Sequence, residues 1–156
     1  MAISEMQQSG NSLQTGVLDP RHCVFRSVSR LARAVTVSYD AALKPSGLSA
    51  GQFTTLMTLS LNGPTTVGDL ARLITANSTT IPRILLVLLQ RQLVSSAPGA
   101  DRRQRIISIT PAGARLARKA VPHWERGQRE VLARFDGARW SGLRKEMSAL
   151  RHCLGA

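Results

Sequence analysis

Apolar residues begin to recur at helical spacing shortly after Asp19. They lie three or four positions apart as far as Tyr39, which predicts one amphipathic helix. The stripe consists of Val24, Phe25, Val28, Leu31, Val35 and Tyr39. Asp19 with Pro20 is typical of a helix start, and Pro45 with Gly47 of a helix end. The first 18 residues are polar and without periodicity, which favours a loosely held arm.

Two more helices are predicted from their capping residues. Ser49 and Gln52 have the spacing of a capping box, in which each side chain binds the backbone of the other residue. That helix is expected to end near Asn62. Thr66 and Asp69 repeat the pattern at the start of a helix of about eight residues.

A fourth helix is predicted to begin at Asn77 or Ser78, after a tight connection at 75–77. Its core-facing residues are Ile81, Ile84, Leu85, Leu88 and Leu89. Beyond it the hydrophobic period changes to that of strands. Residues 93–96 and 106–109 are predicted to pair as a hairpin, with a turn at 98–101.

Two helices complete the predicted chain. Thr110 and Pro111 predict the start of a long helix reaching about Phe135, and Pro122 is expected to kink or divide it. The last helix, 137–154, has an apolar stripe. Its members are Trp140, Leu143, Met147, Leu150 and Leu154. One small domain can hardly bury this stripe as well as its own core, so a dimer is predicted.

The charge of the chain indicates which class of partner it binds. Twenty-one Lys and Arg against nine Asp and Glu give a net charge of +12. Most of these bases are Arg, which makes planar, bidentate contacts to phosphate and guanine, although an Arg-rich genome is the alternative explanation. The bases concentrate between 101 and 120, where six of them meet one acid. This distribution favours a surface that faces nucleic acid.

Several other classes of protein are disfavoured. Two cysteines make neither a disulfide framework nor a metal site, and no cofactor is expected. No apolar run approaches a membrane span of about 18 residues, and the first residues do not form a signal peptide. A cytoplasmic protein is therefore expected. No catalytic set of side chains and no glycine-rich phosphate loop is present, so an enzyme is not expected.

The order of the elements predicts a winged helix-turn-helix. A short helix, a tight turn and a helix with a polar start are followed directly by a basic hairpin, an arrangement suited to DNA grooves. The expected fold is mainly α with a small β-hairpin wing (α+β). Residues 47–110 are expected to bind DNA, while 19–46 and 111–156 form a helical dimerisation region.

Six segments, taken in order, resemble the MarR family of bacterial transcriptional regulators over roughly residues 21–154. They are GLSAGQF (47–53), TVGDLA (66–71), STTIPR (78–83), LLQRQLV (88–94), DRR (101–103) and ITPAG (109–113). The resemblance implies a homodimer, formed by the first and last helices, that binds a pseudo-palindromic operator in double-stranded DNA. It also implies repression, with control by a small ligand or by oxidation.

The resemblance assigns DNA contacts to the start of the fourth helix and to the wing. The helix residues are Ser78, Thr79, Thr80 and Arg83. In the wing, Asp101 is expected to hold Arg103, which inserts beside the DNA backbone. Arg102 and Arg105 are expected to add affinity that does not depend on sequence. Pro82 replaces a polar residue of the family, so the helix either starts later or has a bent tip.

Two switches are compatible with the sequence. A small aromatic acid or other carboxylate could bind between the dimer helices and the DNA-binding region. The residues predicted for this site are His22, Arg26, His123 and Trp124. Alternatively, Cys23 could sense oxidants, because a cysteine at a helix start is oxidised more readily than an ordinary one.

A different alternative for the basic surface is an architectural or RNA-binding protein. Its binding would be independent of sequence and would vanish with salt.

Overall fold

The computed structural model describes residues 22–74, 80–99, 101 and 104–155. These residues fall into two units, one ending at Val37 and the other beginning at Ser38. The boundary lies within the first helix, α1 (Val24–Leu43). Helices with a small antiparallel sheet confirm the predicted mainly-α fold with a hairpin wing.

In the first unit, the described residues of α1 are exposed. The apolar stripe predicted there is present on the helix, and none of it is buried within the unit. Its exposed members are Val24, Phe25, Val28, Leu31 and Val35. The predicted helix start at Asp19 lies outside the described residues.

In the second unit, the end of α1 leads through a 3-10 turn (Lys44–Ser46) into five further helices and three strands. These are α2 (Ala50–Asn62), β1 (Thr65–Thr66), α3 (Val67–Ile74), α4 (Thr80–Gln90), β2 (Val94–Pro98), β3 (Arg105–Ile109), α5 (Pro111–Phe135) and α6 (Gly137–Cys153).

The predicted caps account for several of these boundaries. The Ser49 hydroxyl accepts from the Gln52 N–H, and the Gln52 side chain accepts from the Ser49 N–H, so the predicted capping box is confirmed. Thr110 caps α5 by accepting from the Gly113 N–H at 3.0 Å. At Thr66 the return bond differs from the expected one, because the Asp69 carboxylate accepts from the Thr66 hydroxyl at 2.6 Å.

The sheet has the antiparallel order β1-β3-β2. The hairpin pairs Val94 with Ile109 and Pro98 with Arg105, so β2 ends two residues later than predicted. The first strand was not predicted at all. Thr65 and Thr66 pair with Ile107 and Ile106, and two residues are too few to show a strand period.

The core lies in the second unit, where α2, α4 and the hairpin meet. Leu43, Leu56, Leu70, Ile81 and Leu88 are completely buried. A cluster of 14 buried residues includes them and extends through Ile107 to Ala117 and Ala120 of α5. This core fixes the orientation of α4 and the wing.

Pro122 is expected to kink or divide α5; the division is wrong, because α5 is one helix from Pro111 to Phe135, and the kink stays a prediction. An interior proline costs a helix about 3 kcal/mol through the lost backbone bond and a steric clash. Packing on both sides offsets this cost. Ala117 and Ala120 are buried before the proline, and Gly127 is buried after it. A Cβ on Gly127 would lie only 2.8 Å from that of Ala42, so the two helices cross closely there.

Candidate DNA-binding surface

Helices α3 and α4 form the pair that the sequence predicted as a helix-turn-helix. Leu70 anchors α3, while Ile81, Leu85 and Leu88 anchor α4 to the same core. The opposite side of α4 therefore faces solvent, and Thr80 and Arg83 are exposed on it. Ser78 and Thr79, also predicted to contact DNA, lie outside the described residues.

Pro82 is the third residue of α4. The N–H groups of a helix's first turn have no partner within the helix, so a proline costs no internal bond where it lies in that turn. The predicted start at Asn77 or Ser78 lies outside the described residues, so the later start and the bent tip both stay predictions. Pro82 is also exposed.

The start of α3 is held by a small polar network. The Asp69 N–H donates to the Thr66 hydroxyl at 3.0 Å, and Arg72 pairs with the Asp69 carboxylate. The hydroxyl bond from Thr66, followed by the charge of Arg72, holds the pKa of Asp69 below its usual value. This network fixes the first helix of the pair next to strand β1.

The wing places Arg105 at the start of β3, opposite Pro98. Its guanidinium donates from Nε to the Ser96 hydroxyl at 3.0 Å and from Nη2 to the Ser96 carbonyl at 3.3 Å. The side chain thus lies across the hairpin, exposed and positioned. At the tip, the Gln104 N–H donates to the Asp101 carbonyl at 2.9 Å. Arg102 and Arg103 lie outside the described residues.

The base of the wing is joined to α5 through Thr110. Its hydroxyl lies 2.9 Å from the Gln92 carbonyl and 3.1 Å from the Leu93 carbonyl. Gly113 is required beside it, because a Cβ there would lie 2.0 Å from the Leu93 oxygen. Gln92 has φ +55°, a left-handed conformation that favours glycine. The wing and the start of α5 therefore form one connected piece.

Arg91 has a role that the sequence did not reveal. Its Nη1 donates to the Gly47 carbonyl at 2.8 Å, which ties the end of α4 to the loop before α2. The partner is 44 positions away, so no local spacing could indicate this bond. Arg91 positions α4 from its distal end.

The residues predicted for an effector site lie in different units. His22 and Arg26 belong to the first unit, and His123 and Trp124 to the second. Trp124 stacks on Phe53, with the two ring centroids 6.2 Å apart. Its ring also lies beside that of Tyr39, with a centroid distance of 6.5 Å. The Tyr39 hydroxyl in turn donates to Gln128, and burial raises the pKa of Tyr39.

A cleft of about 420 Å³ lies on the second unit between the end of α1 and α5. It is lined by Ser38, Ala41, Ala42, Arg126, Glu130, Val131 and Arg134. Two guanidinium groups and one carboxylate therefore border a space large enough for a small organic molecule. No sequence pattern distinguishes these residues, because their apolar and charged positions are those of an ordinary helix surface.

Cys23 immediately precedes α1, where its carbonyl accepts from the Ser27 N–H at 3.0 Å. Its thiol and that of Cys153 are free and exposed. Nowhere in the described ranges do three or more His, Cys, Asp or Glu side chains gather as metal ligands would. Among those same ranges, none of the helices has both the length and the hydrophobicity to cross a membrane.

The sequence profile of the MarR family matches residues 48–104, which cover α2 to the tip of the wing. No protein matches among curated sequences. Solved structures do match this chain. The Mycobacterium tuberculosis transcriptional regulator MosR, crystallised with DNA, is 36% identical with a TM-score of 0.76, over 86% of this chain and 97% of that one.

Two more distant structures share the fold. Bordetella bronchiseptica BpsR is 20% identical with a TM-score of 0.75, over 90% of this chain and 100% of that one. A cysteine-to-serine mutant of Escherichia coli MarR, solved with operator DNA, is 15% identical with a TM-score of 0.75. That likeness covers 87% of this chain and 99% of the MarR chain.

Proposed function

The chain belongs to the MarR family of transcriptional regulators, and we propose that it represses transcription by binding a pseudo-palindromic operator as a homodimer. The observation that carries this proposal is that two exposed elements, α4 and the wing, are packed on the same core. Arg83 on α4 and Arg105 on the wing both project from one buried core. An exposed helix can enter a major groove while an adjacent wing reaches the flanking backbone.

The geometry of the arginines supports different roles for them. Arg83 lies in the first half of α4, where recognition helices contact base edges. Arg105 is held by Ser96 at the start of β3, so it presents a fixed positive charge rather than a mobile one. We assign base contact to Arg83 and phosphate contact to Arg105, with Arg102 and Arg103 extending the wing contact.

The proposal is tested by selecting sites from genomic fragments with the purified full chain, then measuring affinity against salt by fluorescence anisotropy. A specific regulator keeps a preference of at least about a thousandfold for its site at physiological salt. Arg83→Ala should reduce that preference, whereas Arg105→Ala should weaken all DNA alike and lower the salt slope by about one. Binding without any preferred site would overturn the proposal in favour of an architectural or RNA-binding protein.

The homodimer is supported by apolar surface left uncovered on each unit. In α1 these residues include Phe25, which is 80% exposed, and in α6 they include Met147 and Leu150. Contiguous apolar patches of this kind usually mark an interface. Light scattering at micromolar concentration should give twice the chain mass, and a monomer would contradict the proposal.

The effector that we propose is a small carboxylic acid. Arg126 and Arg134 border the cleft at α5 and could pair with a carboxylate. In BpsR, DNA binding is regulated by 6-hydroxynicotinic acid, which makes that acid a suitable first probe for this chain. His123 and Trp124 remain predicted contacts on the same helix.

The effector proposal is tested by titrating 6-hydroxynicotinate and benzoate into the protein–operator complex. Release should be lost in Arg134→Gln and kept in Arg129→Gln, a control that removes an exposed charge near Glu125. Release that is equal in both variants would remove the cleft from consideration.

An oxidation switch at Cys23 is the alternative, favoured by a free, exposed thiol at the start of α1. Cys23→Ser should then hold the operator under peroxide, while Cys153→Ser should release it as the unmodified chain does. Release by both variants would exclude Cys23 as the sensor.

A further inference from the structure

Helix α4 presents an unusually apolar surface to solvent. Ile81, Leu85 and Leu88 are buried, as expected for its core side. Away from that side, however, Leu86 is 58% exposed, and Val87 and Leu89, nearer the edges of the core side, are each 36% exposed. A surface helix ordinarily has polar residues opposite its core face. The helix that faces DNA in the proposed function thus offers few hydrogen-bonding groups.

Pro82 and Leu86 lie next to each other on this outer side. Residues four positions apart are neighbours on a helix surface, so the pyrrolidine ring and the leucine side chain form one apolar strip. Both are exposed, and Arg83 lies beside the strip. The strip therefore sits next to the residue to which we assign base contact.

The chemistry of a major groove limits what such a strip can recognise. Every base edge there offers hydrogen-bond donors or acceptors, and the only apolar group is the C5-methyl of thymine. An aliphatic side chain contributes favourable binding free energy when it covers that methyl group. It contributes none when it lies against the polar edges. Cationic Arg83 and the net charge of +12 bring DNA to this face, which identifies the occupant as DNA.

We propose that Pro82 and Leu86 read thymine methyl groups, so that each half-site of the operator carries thymine where it meets this strip. The proposal rests on the proposed function and names the base that the same surface recognises. It also gives Pro82, which replaces a polar residue in the resemblance to the family, a part in recognition.

The test replaces each thymine of the selected operator in turn by deoxyuridine, which removes the methyl group and keeps the pairing. Affinity for the full chain should fall about fourfold at the contacted position, since one buried methyl contributes ~0.8 kcal/mol. The same replacement should have a clearly smaller effect on Leu86→Ala, because the larger part of the contact is already gone. Pro82→Ala should reduce the effect in part.

Leu61→Ala is the matched control, since Leu61 is 79% exposed at the end of α2 and lies off the strip. It should keep the full deoxyuridine effect. Specific binding that ignores deoxyuridine at every position, or an effect that is equal in wild type and Leu86→Ala, overturns this inference alone. The absence of any preferred site overturns the proposed function and this inference together.

Discussion

Helices α2 and α6 have similar lengths but opposite relations to the core. In α2, 13 residues include Phe53, Leu56 and Leu59, all buried within the chain's own core. In α6, 17 residues include none that is buried. A helix of ordinary propensity is marginal without packing of an apolar face. The difference shows that α2 is stabilised within one chain, whereas the apolar stripe of α6 is left for the second copy that we propose.

The largest effect should come from the core side of this comparison. Leu56→Ala removes a completely buried side chain and should lower the free energy of unfolding by about 2–5 kcal/mol. Urea unfolding at a fixed protein concentration measures it. Leu61→Ala, on the same helix but exposed, should stay within about 0.5 kcal/mol of the unmodified chain. An equal loss of unfolding free energy in both variants would mean that the buried and exposed faces of α2 contribute alike to stability.

The same substitution at two glycines sharpens the contrast. Gly113→Ala drives a Cβ into the Leu93 carbonyl and should destabilise the fold by about 1–3 kcal/mol or more. Gly142→Ala in α6 meets nothing within 4 Å and should stabilise it by about 0.5–1 kcal/mol, as alanine does in helices. Thermal denaturation compares the two, and a shift in the same direction for both would contradict this account.

The proposed packing of α6 against a second copy is tested by placing a charge on its apolar stripe. Leu150→Glu places a carboxylate in the exposed apolar stripe and should weaken dimerisation at least about tenfold, or ~1.4 kcal/mol. Lys145→Glu, on the opposite side of α6, should leave the dimer intact. Light scattering over a dilution series measures the dimerisation of both variants. Dissociation by Lys145→Glu alone would place the interface on the other face.

A smaller effect is expected where α4 ends. Gln92 has φ +55°, so Gln92→Gly should relieve backbone strain and stabilise the fold by about 0.5–1 kcal/mol. Gln90→Gly, at the last residue of α4, should instead destabilise it by up to about 1 kcal/mol. Urea unfolding distinguishes the signs. A loss in both variants would show that the Gln92 side chain outweighs the strain.

The smallest expected effect is a change in the stability contribution of Asp69 at acidic pH. The pKa of Asp69 is lowered in the folded state, so its contribution is present above the unfolded value of about 3.9 and is lost as pH falls through the folded value. Asp69→Asn should therefore be less stable than the unmodified chain at pH 7, and the difference should shrink by pH 3. A difference that is the same at both pH values would exclude titration of Asp69 as its cause.

Features with local causes could be predicted from the sequence. The Ser49 capping box and the Thr110 cap join groups three positions apart, and both are confirmed. Strand β1 could not be predicted, because Thr65 and Thr66 join a sheet only when β3 arrives beside them. Continuous α5 depends on packing around Pro122, which its local propensity does not reveal.

The candidate site divides in the same way. The exposure of Thr80 and Arg83 follows from the apolar period of α4, whereas the anchoring of Arg105 by Ser96 requires the hairpin register. Arg91 binds Gly47 across 44 positions. Such contacts come from the assembled fold, and single-sequence patterns contain no signal for them. DNA contacts by Ser78, Thr79, Asp101 and the other named residues stay predictions.

We propose that the core of the second unit presents α4 and the wing to DNA, while two paired copies set the spacing of the two half-sites. Hydroxyl-radical footprinting of the full chain on its selected site, at physiological salt, tests this arrangement. Two protected half-sites related by a dyad, with centres about 10 base pairs or a multiple apart, are the predicted result. Uniform protection that shows no dyad and disappears with salt would contradict it.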